Sequence, residues 1–346
     1  MEIDAFGGGQ TIGAIRRSAR VVQQAGFDGL WIPEGGAPAF SLAAVAAAEA
    51  DGLALGTGIA VAFARSPMVT AQAAWMLAEA TAGRFRLGLG TQVRAHVERR
   101  YSAEFDRPGP RIREYVLALR EIFAAFAGRS KLSFQGDFYS FTLLPQTWAP
   151  APLQYPDPPI YLAGVRPWMC RMIGEAADGM KVHPLHTLSY LDEVVRPNVA
   201  AGCAAAGRDP GDIKLVVPVM TAVGDDEESI ARQREQLRHR LAFYGSTPGY
   251  GVVFDASGWP GLGERLNQAL RDRDHGGMAR LISDEVLDAM TVTATWSGLA
   301  KALADKYTGR ASAIVCYSAL EQWAADPASA DRWQDVIAEF RRLTRG

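Results

Sequence analysis

Apolar segments of strand length alternate with segments of helical periodicity along almost the whole of this 346-residue chain. Eight strand–helix pairs follow one another, an alternation typical of a parallel sheet wrapped by helices. Because the order never changes, we predict the α/β class and a closed (β/α)8 TIM barrel; an open doubly wound sheet is the alternative. The predicted strands are residues 2–6, 29–33, 53–60, 84–89, 159–163, 179–183, 213–222 and 311–317. The predicted helices are residues 11–25, 41–50, 68–80, 111–127, 167–175, 189–206, 227–244, 296–307 and 328–343.

The chain is long and apolar enough for one large core. At 48% hydrophobic residues we predict a single domain over residues 1–346. Two segments fall outside the repeat, at about residues 129–158 and 245–290. Insertions in barrels usually lie over the carboxyl ends of the strands, so we expect both at that face, the first as a β-hairpin and the second as a helical lid.

Charge and cysteine content narrow the partners and the compartment. With 36 basic and 38 acidic residues and no dense Lys/Arg block, the chain is not expected to bind nucleic acid. Its three cysteines form no C-x-x-C motif, which favours a reducing compartment over a disulfide framework. The segment MEIDAFGGG lacks the basic and apolar regions of a leader, and no apolar run suits a membrane span. We therefore expect a cytoplasmic protein with no membrane partner.

Residues 54–94 have the pattern of a binding site. They predict a buried strand, a loop, a helix and a second, parallel strand. Glycines at the two strand ends remove side chains where a ligand or another backbone can approach closely. These glycines are Gly56, Gly58, Gly88 and Gly90. The segment therefore predicts a site at the carboxyl ends of strands three and four.

In a closed barrel the reacting groups lie where the strands end. Few acids or bases occur there, and the sequence has no H-E-x-x-H, no G-x-S-x-G and no acid–histidine cluster at metal-ligand spacing, so we predict no metal site. A pocket poor in titratable groups favours a bound organic cofactor as the source of the chemistry. The candidate cofactor-binding residues are Phe6, Gly58, Ile59, Ala60, Val61, Gly90, Thr91, Gln92, Gly164, Val165, Arg166 and His183.

Several of these features have a second interpretation. Glu34 is either a hydrogen-bond acceptor for substrate or cofactor or a cap of the next helix. The turn at residues 164–166 precedes a helix and is either a phosphate site or an ordinary barrel turn. The G-x-G at Gly88 lacks the third glycine of a dinucleotide fingerprint and is either a ligand turn or a plain one. His183 and His186 fit hydrogen bonding better than metal ligation, because no carboxylate partner is near in sequence.

Four motifs together resemble the bacterial luciferase-like superfamily. They are GFDGLWIPE, the R-S-P-x-x-x-A-Q segment, the R-F-x-L-G-L-G strand and the A-D-G segment before strand six. Within the superfamily, the resemblance points to the deazaflavin-dependent branch that uses coenzyme F420, and it covers nearly the whole chain. FMN is the alternative cofactor, because flavin and deazaflavin share a tricyclic ring and a phosphate.

The resemblance also implies roles for individual residues. It implies a non-prolyl cis peptide between Gly58 and Ile59, forming a bulge behind the cofactor ring, and a phosphate held by the backbone amides of residues 164–166. His183 matches a position that contacts the cofactor tail. Glu34 matches an acidic or polar residue facing the reacting ring. We therefore predict Glu34 and His183 as the catalytic residues.

The chain also departs from its apparent branch. The sugar-phosphate dehydrogenases have an acidic residue after strand four, where this chain has Gln92 and Val93, and a lysine where it has His186. Glucose 6-phosphate is therefore not assumed as the substrate.

Three functions follow. The first is hydride transfer between F420 and a small organic substrate by a homodimer; the second is an FMN-dependent two-component monooxygenase; the third is a non-catalytic flavin- or deazaflavin-binding protein.

Overall fold

Eight parallel strands close into a barrel in the computed structural model, which describes residues 1–344. The described residues contain twelve strands in all, which in chain order are β1 (Glu2–Phe6), β2 (Gly29–Ile32), β3 (Ala54–Thr57), β4 (Ala60–Val61), β5 (Phe85–Gly90), β6 (Phe134–Gln135), β7 (Ser140–Phe141), β8 (Ile160–Ala163), β9 (Gly179–Lys181), β10 (Lys214–Gly224), β11 (Thr291–Thr295) and β12 (Ala313–Cys316). All except β4, β6, β7 and β11 form the ring, which closes where β12 pairs with β1. The predicted TIM barrel is confirmed.

Helices cover the outside of the ring. They are α1 (Ile12–Gln24), α2 (Ala39–Glu49), α3 (Pro67–Ala80), α4 (Arg94–Arg100), α5 (Pro108–Phe126), α6 (Pro167–Ala176), α7 (Leu188–Tyr190), α8 (Arg196–Ala205), α9 (Glu227–Gly245), α10 (Gly251–Asp255), α11 (Leu262–Arg271), α12 (His275–Arg280), α13 (Asp284–Met290), α14 (Trp296–Tyr307), α15 (Ala319–Ala325) and α16 (Ser329–Thr344). Within residues 1–344, no helix combines the length and apolar character needed to cross a membrane.

Most predicted boundaries agree with the structure within two residues. β1 and α14 begin and end where the sequence predicts. The predicted strand over residues 53–60 is instead divided into β3 and β4, because the chain turns at residues 58–59. The predicted helix over residues 189–206 is also divided, since a π-helical turn at Leu191–Val195 separates α7 from α8.

The two inserted segments have the predicted secondary structure. In the first, β6 and β7 form an antiparallel hairpin in which Phe134 pairs with Phe141. The carboxylate of Glu114 on α5 accepts the backbone N–H groups of three hairpin residues at 2.7–2.8 Å, which ties the hairpin to the barrel. The second segment forms α10 to α13. The sequence did not predict β11, which pairs in parallel with the extended end of β10.

The start of α3 determines where the loop after β4 must end. Ser66 is the N-cap, and its hydroxyl accepts the backbone N–H of Val69 at 3.4 Å, while Pro67 occupies the first turn. A proline there loses no hydrogen bond, because the N–H groups of a first turn have no partner within the helix. Thr70 Oγ1 lies 2.6 Å from the hydroxyl of Tyr115 on α5. The loop is therefore anchored to a well-packed pair of helices.

Polar groups occupy part of the barrel interior. Asp4 is fully buried, and its Oδ2 accepts hydrogen bonds from Trp31 Nε1 and Arg86 Nη1, both at 2.7 Å. Arg86 also pairs with Glu2 at 3.0 Å. Buried charges in a core are stabilised only when paired in this way. The interior of the barrel is therefore a packed, partly charged core.

Candidate functional site

The predicted cis peptide between Gly58 and Ile59 is confirmed. It lies where β3 ends and β4 begins, at the carboxyl end of the barrel. Gly58 N–H donates to the carbonyl of Ile32 on β2 at 2.8 Å. β4 then pairs with β5, Ala60 opposite Leu89. The third strand thus forms a bulge, defined here as residues 58–61, at the barrel mouth.

The glycines around the bulge are required by protein packing. A Cβ on Gly88 would lie 1.9 Å from the carbonyl oxygen of Thr57, and one on Gly90 would lie 2.9 Å from Cδ1 of Ile59. The hydroxyl of Thr57 also accepts the Gly88 N–H at 2.9 Å and donates to its carbonyl at 2.6 Å. The sequence left open whether these glycines make room for a ligand or for another backbone. At Gly88 the space is taken by the backbone of Thr57.

Glu34, which follows β2, holds the bulge in place. Its Oε2 accepts the Val61 N–H at 2.6 Å and Nη1 of Arg65 at 3.0 Å, while its Oε1 accepts Nη2 of Arg65. Its own N–H donates to the carbonyl of Ile59 at 3.2 Å. The side chain of Glu34 is 3% exposed and that of Arg65 is 17% exposed. Both oxygens of the carboxylate are thus occupied by the loop that they position.

Arg65 keeps its charge in this setting. Burial opposes the charged guanidinium, but the hydrogen bond and the negative charge of Glu34 outweigh it and raise the pKa of Arg65. The guanidinium also lies 5.2 Å from the ring centroid of Phe40. The guanidinium of Arg65 is therefore engaged with Glu34.

His183 lies among aromatic rings at the mouth. Its Nδ1 accepts the backbone N–H of Leu185 at 3.0 Å, and its ring packs 4.3 Å from Tyr250 and 5.3 Å from Tyr244, centroid to centroid. Burial lowers the pKa of His183 to about 3. The imidazole is therefore neutral at physiological pH, and since Nδ1 is an acceptor its proton is on Nε2. His183 can donate a hydrogen bond to a ligand.

His186, in contrast, belongs to the core. Its Nδ1 lies 3.1 Å from the carbonyl of His183, and its Nε2 lies 3.1 Å from the hydroxyl of Tyr307. Burial lowers its pKa to about 4. Both nitrogens are used within the protein, and no group of three potential metal ligands occurs in residues 1–344.

An aromatic wall lines the mouth on the side of the last strands; we define it as Phe6, Tyr317, Tyr244, Tyr250 and His183. The rings of Phe6 and Tyr317 stack at 4.3 Å, and the hydroxyls of Tyr317 and Tyr244 lie 2.8 Å apart. Tyr244 and Tyr250 come from the end of α9 and the turn after it. The sequence did not indicate Tyr244 and Tyr250 as site residues, although they flank the start of the second inserted segment.

The turn at residues 164–166 connects β8 to α6. Arg166 is the N-cap of α6 but makes no capping hydrogen bond with its side chain, and Pro167 is in the first turn. A helix start without a side-chain cap has backbone N–H groups free for an anion. A Cβ on Gly164 would lie 2.9 Å from Cβ of Met169, so the turn packs closely on its helix.

Thr91 and Gln92 follow β5, the strand with which β4 of the bulge pairs. Gln92 adopts a left-handed conformation with φ of 58°, and its Oε1 accepts the N–H of Val93 at 3.1 Å. Thr91 Oγ1 donates to the carbonyl of Gln92 at 3.2 Å. These bonds organise the loop itself, and a role in ligand binding remains a prediction.

Lys181 lies inside the barrel. It is 4% exposed, and its Nζ lies 4.4 Å from the ring centroid of Trp31 and 5.8 Å from that of Phe6. Within residues 1–344, Nζ has no hydrogen-bond partner. Burial lowers the pKa of Lys181 to about 7.

Two cavities lie away from the bulge. One of about 420 Å³ is bounded by α9, α15 and α16, and one of about 440 Å³ lies at the amino end of the barrel beside Glu2 and Arg86. None of the predicted site residues lines either cavity. In barrels of this type the reacting groups gather at the carboxyl face, so the mouth remains the candidate site.

Comparisons with known proteins show which proteins the chain resembles. The family model described as luciferase-like monooxygenase matches residues 2–312. The chain is 39% identical over 292 residues to an uncharacterized protein of Mycobacterium tuberculosis, covering 84% of this chain and 86% of that protein. It is 26% identical over 282 residues to the 5,10-methylenetetrahydromethanopterin reductase of Archaeoglobus fulgidus, covering 80% of each.

A solved structure is similar over the full length. The coenzyme F420-dependent tetrahydromethanopterin reductase from Methanopyrus kandleri superposes with a TM-score of 0.77, covering 99% of each chain at 19% identity. At this identity the likeness shows a shared fold.

Proposed function

The chain belongs to the luciferase-like monooxygenase family, and within it we propose an oxidoreductase that transfers a hydride between coenzyme F420 and a small organic substrate. The observation that carries the proposal is the bulge at residues 58–61, held rigidly at the barrel mouth by Glu34 and Arg65. The similarity to a methylenetetrahydromethanopterin reductase and to an F420-dependent structure supports the choice of cofactor.

The residues at the mouth fit a flat ring with a phosphate. The bulge at residues 58–61 and the aromatic wall both lie at the carboxyl end of the barrel. The uncapped start of α6 at Arg166 offers backbone N–H groups and positive charge for a phosphate. Lys181 adds a buried amine that has no hydrogen-bond partner within residues 1–344. These features favour a ring lying against Ile59 with its phosphate at residues 164–166.

The protein's own groups would then orient, shield and supply hydrogen bonds. When bound, a deazaflavin supplies the carbon that gives or accepts the hydride. Glu34 acts through the bulge, because both of its oxygens are occupied by Val61 and Arg65, and it is therefore a positioning residue in this proposal. His183 donates from Nε2 to an oxygen of substrate or cofactor. The apolar rings of the wall exclude water from the reacting atoms.

An FMN-dependent monooxygenase is the second candidate function, because the matching family model is described as luciferase-like monooxygenase. The ring-side residues suit either tricyclic ring. A homodimer in the cytoplasm completes the proposal, and the buried, free thiols of Cys170, Cys203 and Cys316 are consistent with a reducing compartment.

Equilibrium titration separates the two cofactors. Purified protein is titrated with F420, followed by the fluorescence of the coenzyme, and separately with FMN. We expect micromolar affinity for F420 and at least about tenfold weaker affinity for FMN, a difference of about 1.4 kcal/mol. The reverse preference would make the protein a flavin enzyme. Binding of neither ring would overturn both candidate functions.

A further inference from the structure

The side chain of Lys181 crosses the barrel interior. Lys181 ends β9, and its Cε lies 3.1 Å from the place that a Cβ on Gly58 would take. Its Nζ lies over the ring of Trp31, which belongs to β2. The amine is thus enclosed between the bulge and the rings of the first two strands, at the base of the mouth. Gly58 leaves the space that the lysine fills.

Among residues 1–344, no carboxylate forms an ion pair or hydrogen bond with this amine. Asp4 is the carboxylate whose charge acts on Lys181; its Oδ2 is shared between Trp31 and Arg86, and its buried Oδ1 makes no hydrogen bond to Nζ. Removing an ammonium from water without a partner is strongly unfavourable. Such a group either gives up its proton or gains a partner when a ligand binds. Contact with the face of Trp31 offsets part of the cost and orients Nζ.

Two other cations near the mouth are engaged with acids. Arg65 pairs with Glu34, and Arg240, beside the ring of Tyr317, pairs with Glu321 at 2.8 Å. Lys181 differs from both in being buried and without a partner among the described residues. It is therefore the cation at the base of the mouth whose charge is available to a ligand.

We propose that Lys181 is the cation of the cofactor site, whose ammonium stabilises the negative charge on the ring in its reduced form. This inference rests on the proposed function, because it requires a tricyclic ring at the mouth. Reduction concentrates electron density on the pyrimidine edge of flavins and deazaflavins alike. A fixed cation in a water-poor site stabilises such charge far better than solvent-exposed groups do.

The test compares the affinities of the two redox states. Dissociation constants of oxidised and reduced F420, or of FMN if that ring is the one bound, are measured without oxygen at one pH for wild type, Lys181→Met and Lys181→Arg. We expect Lys181→Met to lower the ratio Kd(oxidised)/Kd(reduced) by about tenfold, or about 1.4 kcal/mol. Lys181→Arg keeps the charge and should keep the ratio within about threefold. Because all variants are measured at one pH, the ionisation of the free ring contributes equally to each ratio and cancels in the comparison.

Lys306→Met is the matched control. Lys306 is also largely buried, but its Nζ donates to the carbonyls of Ala289 and Thr291 at 3.0 and 2.7 Å, outside the barrel. Its replacement should leave the ratio unchanged. Lys181→Gln supplies a second uncharged variant if Lys181→Met does not fold, with the same expected loss.

The outcomes distinguish the two proposals. If wild type binds a ring and the uncharged variants keep the wild-type ratio within twofold, the role of Lys181 is refuted and the proposed function stands. An equal change in Lys306→Met would also refute it, because the effect would then be a general one of lost stability. If wild type binds neither ring, both the proposed function and this inference are refuted.

Discussion

Glu34 and Arg65 form a two-point ion pair, and the same carboxylate accepts the backbone N–H of Val61. A side chain that follows the second strand therefore holds the loop that follows the third. The arrangement gives the bulge a fixed position before any ligand arrives, which is what a preorganised site requires.

Breaking this pair should cost more than breaking an exposed one. Glu34→Gln leaves a mostly buried guanidinium without its carboxylate, so we expect a double-mutant cycle with Arg65→Gln to give a coupling free energy of about 1.5–3 kcal/mol. The exposed pair Lys301–Asp305, four residues apart on α14, is the control and should give about 0.3–0.5 kcal/mol. Urea unfolding measures both. Equal coupling energies would mean that the pair does not hold the bulge.

Gly88→Ala should disrupt the joint between β3 and β5. The new Cβ would lie 1.9 Å from the carbonyl oxygen of Thr57, so the backbone itself must move. We expect the free energy of unfolding to fall by more than about 3 kcal/mol. Gly249→Ala is the control, because no atom lies within 4 Å of its Cβ position, and it should change stability by less than about 0.5 kcal/mol. Comparable stabilities would contradict the packing described for Gly88.

His183 should remain neutral over the physiological range. Burial lowers its pKa to about 3, so its side-chain ¹⁵N shifts should show the neutral Nε2–H form from pH 8 down to pH 5. The signal is assigned by its loss in His183→Asn. His186, with its pKa lowered to about 4, should behave alike. A midpoint between pH 6 and 7 for His183 would show that its ring is hydrated and would remove it as a fixed donor.

The unpaired amine of Lys181 should make stability depend on pH. Its pKa is about 7 in the folded protein and about 10.4 when unfolded, so between these values the unfolded chain holds a proton that the folded one lacks. Wild type should therefore gain stability relative to Lys181→Met as the pH rises from 7 to 10, by more than about 1.4 kcal/mol. Below pH 7 the difference should level off.

The same comparison removes the contributions of neighbouring groups. Asp4 on β1, Arg86 on β5 and Tyr161 on β8 are the titratable residues whose charges or side chains face this part of the interior, and they are common to both proteins. Denaturant unfolding at each pH gives the stabilities. A difference that is constant from pH 6 to 10 would mean that Lys181 carries an ordinary pKa and an unrecognised partner.

Local patterns in the sequence predict much of the barrel. Buried parallel strands are continuous apolar runs bounded by glycine and proline. This pattern predicts the ends of β1, β2 and β8 to within one residue. β11 was missed because TVTAT is short, largely polar and stabilised by pairing with a strand over seventy residues earlier in the chain. Propensity cannot register a partner so distant in sequence.

The sequence predicts where the site residues lie relative to the strands, but not which side chains they contact. The sequence places Glu34, Gly58 and His183 at strand ends, and the structure places them at the mouth. It does not show that Glu34 is occupied by Arg65, because that pair depends on the path of the bulge. Nor does it show that Lys181 points inward, since a strand of three residues gives too little alternation to tell its two faces apart.

A crystal structure of the protein with F420 tests the central claim most directly. We expect the tricyclic ring to lie against the peptide between Gly58 and Ile59, with the phosphate at the backbone of residues 164–166 and the aromatic wall facing the ring across the substrate space. A ring bound elsewhere, or a coenzyme phosphate away from the start of α6, would contradict it.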